Sequence, residues 1–128
     1  MDYVNSFKEL EVYKLSRQLA KDVFEVTKLF PKEEMYSLTD QIRRASRWIG
    51  GQVAEAWGKR RYEKHFVSKL TDADGEQLET QHWIETALDC KYLQVETGEA
   101  LLQKCYSIGK MLSSMIDKAS SFCSRRSV

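Results

Sequence analysis

Apolar side chains recur every three or four residues through four successive stretches of this chain, and a single proline interrupts the whole of it. The first stretch carries Val12, Leu15, Leu19, Val23, Val26 and Phe30 at such steps, and the last carries Leu101, Cys105, Ile108, Leu112, Met115, Ala119 and Phe122. Residues three and four apart share one face of an α-helix, so each stripe leaves water only against a surface of the same period. The pattern predicts an all-α chain, an antiparallel up-down-up-down four-helix bundle. Its 128 residues fit one domain spanning residues 1–128, long enough to bury a core without metals or disulfides.

Local signals place the helices at about 7–29, 37–58, 62–91 and 95–122, with a frayed tail over 123–128. Ser6 and Glu9 have the spacing of a capping box for the first helix, and Pro31 cannot continue it. Ser37 is the expected cap of the second helix, with Asp40 three residues on. That helix has a small face, including Ala45, Gly50, Gly51, Ala54 and Ala56, which predicts a kink or a close crossing near Gly50. Gly58 suits a left-handed helix end, followed by the basic turn Lys59, Arg60, Arg61. In the third helix Gln77 and Gln81 interrupt an apolar stripe, so they either face water or hydrogen-bond inside. The fourth helix shows a second stripe, Leu102, Tyr106, Gly109, Met115 and Ile116, whose extra width implies a further partner surface.

Several classes are excluded by what the chain lacks. No apolar run approaches the roughly 20 residues that span a bilayer, and Met1 to Lys8 has neither the basic start nor the apolar centre of an export signal, so a cytoplasmic protein is expected. Cys90, Cys105 and Cys123 match no disulfide or zinc spacing and read as free thiols, with Cys105 packed as a small hydrophobe. His65 and His82 stand 17 residues apart and form no metal-spaced pair. Asp72, Glu76 and Glu79 share a helical face, but no Glu-x-x-His accompanies them, so no metal is expected. Gly50 and Gly51 lack the lysine and hydroxyl of a phosphate loop, and no serine nucleophile with its base is visible. No catalytic residue, cofactor or small-molecule substrate is predicted, and the chain reads as a non-enzyme.

The net charge of +1 conceals a separation of sign. Between Arg43 and Lys69, eight basic residues stand against Glu55 and Glu63, a local charge of +6. Between Asp72 and Glu99, eight acidic residues stand against Lys91, a local charge of −7. One bundle end and its turn are therefore expected to be basic. Arg43, Arg47, Lys59, Arg60, Arg61 and Lys64 are candidate contacts to a nucleic-acid backbone, with Trp57, Tyr62 and His65 as stacking surfaces. The alternative is an ordinary solvated face, paired in part with the acidic segment of a neighbouring helix or subunit.

The segments Phe7-Lys-Glu-Leu-Glu-Val-Tyr, Leu29-Phe-Pro-Lys-Glu-Glu, Leu38-Thr-Asp-Gln-Ile-Arg-Arg-Ala-Ser, Ala54-Glu-Ala and Leu78-Glu-Thr, with the gaps between them, resemble the bacterial four-helix bundle family of proteins encoded in intervening sequences of 23S rRNA genes. The resemblance covers about residues 7 to 122. It implies a bundle that self-associates, commonly as a five-fold ring or pentamer, without known catalytic activity. A related branch assists the reverse transcriptases of diversity-generating retroelements and binds nucleic acid, which implies RNA or DNA and a reverse transcriptase as partners here. The family's Gln-(Leu/Ile)-Arg-Arg-Ala motif falls on Gln41, Ile42, Arg43, Arg44 and Ala45, and its Ala-Glu-Gly motif on Ala54, Glu55 and Ala56, where the last position departs. The family's Ser-Ile-Pro-x-Asn-Ile is replaced by Trp48, Ile49, Gly50, Gly51, Gln52 and Val53. Its Gly-Ser in helix three becomes Gly75 and Glu76. Arg44 and Glu55 stand three helical turns apart, and with Glu79 they are expected to form an interhelical polar cluster that sets register, the alternative being separate exposure to solvent.

Two functions follow. The first is a homo-oligomeric nucleic-acid or ribonucleoprotein accessory, in which repetition of a modest patch around an assembly multiplies its affinity. The second is a protein-interaction scaffold that binds no nucleic acid and uses the second stripe of helix four.

Overall fold

A computed structural model describes residues 4–123, and they are helical nearly throughout. Four long helices, α1 (Glu11–Thr27), α2 (Leu38–Gly58), α3 (Glu63–Asp89) and α4 (Val95–Asp117), are followed by one short turn of helix, α5 (Ala119–Phe122). Each long helix packs on the next and α4 closes back on α1, while the diagonal pairs do not meet. The α2–α3 seam is the most extensive. Leu19 and Val23 of α1, Ile42, Ile49 and Val53 of α2, Phe66, Leu70 and Ile84 of α3, and Ile108 and Leu112 of α4 are completely buried, so the stripes read from the sequence meet in one core. Burial of such side chains at roughly 1.5 to 3 kcal/mol each is the main force holding the helices together.

Partners across the seams appear in opposing order along the chain. Arg43 of α2 reaches Thr27 near the end of α1, whereas Gly50 lies against Tyr13 and Ser16 near its start. On the next seam Arg44 meets Glu79 and Glu55 meets Lys69; on the third, Gly98 lies against Leu88 and Gly109 against Gln77. The α4–α1 closure carries an ion pair, Lys104 Nζ to Asp22 Oδ2 at 2.7 Å, with both side chains about two-thirds covered.

The first helix begins later than its capping signals imply. Ser6 accepts from the Lys8 N–H at 3.2 Å and Glu9 accepts from the Asn5 N–H at 3.1 Å, so both serve a separate 3-10 turn over Phe7–Glu9. Leu10 is then extended and buried, and α1 starts after it. Ser37 is the N-cap residue of α2, as expected, but the side chain that caps the helix is that of Glu34. The Ser37 hydroxyl donates to Glu34 Oε1 at 2.7 Å, and that same oxygen receives the Leu38 N–H at 3.4 Å. α2 runs without a break through Gly50 and Gly51, and the Trp48 ring covers Gly51 so closely that a Cβ there would lie 2.8 Å from it.

Gly58 closes α2 without entering the left-handed region. That conformation belongs to Lys91, φ 61°, after α3. The Tyr92 N–H reaches Ala87 O at 2.9 Å and the Lys91 N–H reaches Leu88 O at 3.0 Å, the paired bonds of a Schellman ending. The expected fourth helix divides at Lys118, and α5 brings the Phe122 ring onto Phe66 with centroids 5.9 Å apart. Of the expected frayed tail, residues 124–128 lie outside the described residues.

The two glutamines of α3 bond internally. Gln81 Nε2 donates to Gln77 Oε1 at 2.8 Å, and Gln77 Nε2 donates to Asp74 Oδ1 at 2.9 Å, a ladder along one side of the helix. Gln77 is buried against Gly109, where a Cβ would stand 3.1 Å from its amide nitrogen. The second stripe of α4 is also spent inside the fold: Leu102 and Met115 are buried, Ile116 packs against the core, and Tyr106 alone of the five is exposed.

Candidate functional site

The six cations singled out in the sequence do not form one patch. Arg43 and Arg47 sit in the first half of α2, whereas Lys59, Arg60, Arg61 and Lys64 surround the turn after it. Sixteen residues at 1.5 Å of rise separate Arg43 from Lys59 by about 24 Å along the helix axis. The basic end expected from the sequence is therefore two separate basic regions.

Two of the six also have structural work. Arg43 Nε donates to the Thr27 hydroxyl at 2.8 Å, and its guanidinium lies over the Phe24 ring, 4.8 Å from the centroid. This places a cation beside the last turn of α1, where the helix dipole favours one. Arg60 folds back over Trp57 at 3.6 Å and donates from Nε to the Trp57 carbonyl at 2.8 Å, closing the C-terminus of α2. Arg47, Lys59, Arg61 and Lys64 are exposed. Tyr62 is exposed as well, with His65 5.3 Å away and Arg61 at 6.0 Å from its ring, whereas Trp57 is occupied by Arg60.

The sequence-predicted polar trio divides between two ion pairs. Arg44 Nη2 lies 3.7 Å from Glu79 Oε2, which also accepts the Trp83 indole N–H at 3.0 Å. Glu55 instead meets Lys69 Nζ at 2.9 Å, and Asp72 shares that ammonium at 3.7 Å. Three helical turns separate Glu55 from Arg44, too far for both to share Glu79. Between the pairs, one buried oxygen of Glu76 and the side-chain carbonyl oxygen of Gln52 have no hydrogen-bond partner among the described residues, nor does the Thr39 hydroxyl at the start of α2. Burial pushes the Glu76 carboxyl above its ordinary value, the neighbouring Glu79 charge adds to that, and Arg44 opposes it.

A third basic region escaped the sequence reading. Lys14, Arg17 and Lys21 of α1 border a groove shared with α2, and Arg47 stands on its other side. Their spacing of three, four and seven residues is that of one helical face, so this signal was present in the sequence but lay beside a stronger apolar stripe. Burial raises the Cys105 thiol to about 12, as suits a packing residue, and all three cysteines are free. Among the described residues no three His, Cys, Asp or Glu side chains converge as a metal site, and no helix is long and apolar enough to cross a membrane.

The geometry defines a helical protein whose α1–α2 side presents cations and whose α3–α4 side carries most of the acids. The chain belongs to the 23S rRNA-intervening sequence protein family, whose model matches residues 8–114. Its fold is similar to the crystal structure of a protein of unknown function from the S23 ribosomal protein family of Bacteroides thetaiotaomicron VPI-5482, with 27% identity and a TM-score of 0.75. That similarity covers 83% of this chain and 95% of the other. No curated protein matches the chain.

Proposed function

We propose that this protein is a non-enzymatic, homo-oligomeric accessory protein that binds nucleic acid through an up-down-up-down bundle. The opposing order of partners on three seams supports the antiparallel arrangement. The observation that carries the function is the unneutralised cation face of α1 and α2. Arg17, Lys21 and Arg47 make no ion pair among the described residues, while Asp22 and Glu25, the acids of the same stretch of α1, are taken up by Lys104 and Lys28. Free cations on one side attract a polyanion, and the acidic α3–α4 side turns it away, which orients binding. The family's name fits an RNA setting. Service to a reverse transcriptase is the most specific form of this role and follows from the kinship of that family with a branch that assists such enzymes in retroelements.

The scaffold reading loses its main support, because the second stripe of α4 is largely buried within the chain. Titration of the purified protein with single-stranded RNA over a series of salt concentrations tests the proposal, with light scattering to give the size of the assembly. Affinity should fall linearly in log–log form as salt rises, and the particle should exceed one chain in mass. A monomer that binds no RNA at low salt overturns the reading.

A further inference from the structure

The α1–α2 groove has a volume of about 630 Å³, within the range of pockets that hold a small ligand or one unit of a larger one. Four cations border it, Lys14, Arg17, Lys21 and Arg47, and among the described residues no carboxylate lines it. Among the described residues only Lys14 of the four has an acidic partner, Glu11 at 3.3 Å, and both side chains of that pair are more than half exposed. Along α1 the cations step by about 5 Å, the rise of three to four residues. Tyr13 and Phe24 supply aromatic walls between them, and the Arg17 guanidinium donates to the Tyr13 hydroxyl at 3.3 Å, holding that ring at the rim.

The floor is bare. Gly50 lies in the middle of α2, where alanine is favoured by about 1 kcal/mol. A Cβ there would stand 3.5 Å from Tyr13 and 3.7 Å from Ser16, ordinary contact distances, so packing does not require the glycine. Gly51 differs, since Trp48 occupies its missing side chain.

We infer that the α1–α2 groove binds a nucleoside phosphate unit, its phosphate held by Arg17, Lys21 and Arg47 and its base set against Tyr13. Cations without acids select an anion, and a flat aromatic wall among them selects a ring system beside that anion. The site rests on the nucleic-acid reading above and moves its centre from the turn after α2 to this groove. The unit is either free or part of a single strand. The two sources share the same contacts and differ in avidity.

The test compares AMP with oligoadenylate binding to the full chain and to three variants, Lys21→Glu, Arg17→Glu and Tyr13→Leu, each checked by circular dichroism melting. Each charge reversal should weaken oligoadenylate binding about tenfold and reduce the slope of log affinity against log salt by about 1. Tyr13→Leu should weaken binding of both probes and leave the salt slope unchanged, a combination that neither loss of a charge nor loss of folding produces. Binding of AMP alone at comparable strength identifies a free nucleotide as the ligand; binding of oligoadenylate only identifies a strand. If the parent binds oligoadenylate and all three variants match it, the groove assignment is wrong and the accessory reading stands. If the variants change the particle size and leave nucleotide binding intact, the groove is instead an interface between copies. A parent that binds neither probe overturns both.

Discussion

The Tyr92 hydroxyl donates to Glu34 Oε2 at 2.9 Å, joining the turn after α3 to the turn before α2 across 58 residues of sequence. Glu34 thereby serves three partners, since its other oxygen takes the Ser37 hydroxyl and the Leu38 N–H. The Phe30 ring lies 5.5 Å from that of Tyr92, so the same tyrosine also covers the end of the first helical segment. One carboxylate thus caps a helix and ties together two connections at the same end of the molecule.

This link has a pH signature. The Ser37 and Tyr92 hydrogen bonds hold the Glu34 carboxyl below its ordinary value of 4.5, and the bond to Glu34 lifts the Tyr92 hydroxyl from 10 to about 12. A lowered carboxyl contributes stability above 4.5 that disappears as pH falls through the lowered value; a raised phenol contributes stability below 10 that disappears as pH rises through about 12. Tyr92→Phe should therefore melt at a lower temperature than the parent between these limits. The gap should close in strong acid. Melting curves taken from pH 7 down in steps to the lowest pH at which the parent stays folded check this, and a gap that stays constant throughout removes the carboxylate from the account.

Lys91 sits at φ 61°, a conformation that costs an L-residue other than glycine roughly 1 kcal/mol or more. Lys91→Gly should stabilise the protein by about 1 kcal/mol, while Lys91→Ala leaves it little changed. Urea unfolding of both variants against the parent measures the difference.

Glu76 has the opposite pH sign from Glu34. Its carboxyl lies above the ordinary value of 4.5, chiefly through burial and then through the charge of Glu79, so the folded state favours its protonated form. It opposes folding above that raised value, and the opposition fades as pH falls to 4.5. Glu76→Gln should raise the melting temperature at pH 7 and have no such advantage below pH 4. The introduced amide also offers a donor to the unpartnered Gln52 oxygen. A variant that melts below the parent at pH 7 would contradict this account of the seam.

Helical periodicity was the most legible part of the sequence, because burial acts on every third or fourth residue and writes itself along the whole chain. Val12, Leu19, Ile49, Leu70, Ile108 and Leu112 are all buried as their stripes require. Helix ends were less legible. Ser6 and Glu9 have the right spacing for a cap, and only the burial of Leu10 determines that they close a short turn instead. Lys91 carries no sign in its identity that it will be left-handed, since the hydrogen bonds that hold it come from Ala87 and Leu88. The charge map was legible in sign and misleading in position. Residues 43 to 69 are basic as a string, but a helix of 21 residues carries the two parts of that string to opposite ends, while Lys14, Arg17 and Lys21 join Arg47 from a distant part of the chain.

The Asp74–Gln77–Gln81 ladder has a further consequence for how α3 and α4 are aligned. Gln77 lies opposite Gly109, where a Cβ would stand 3.1 Å from its amide nitrogen and oblige the amide to give way by a few tenths of an ångström. Moving α4 by one turn would bring Cys105 or Ser113 to that spot and press a sulfur or a hydroxymethyl group on the buried amide. Greasy surfaces slide over one another at little penalty; a single absent methyl beside a committed amide acts as a keyway, and it admits one alignment.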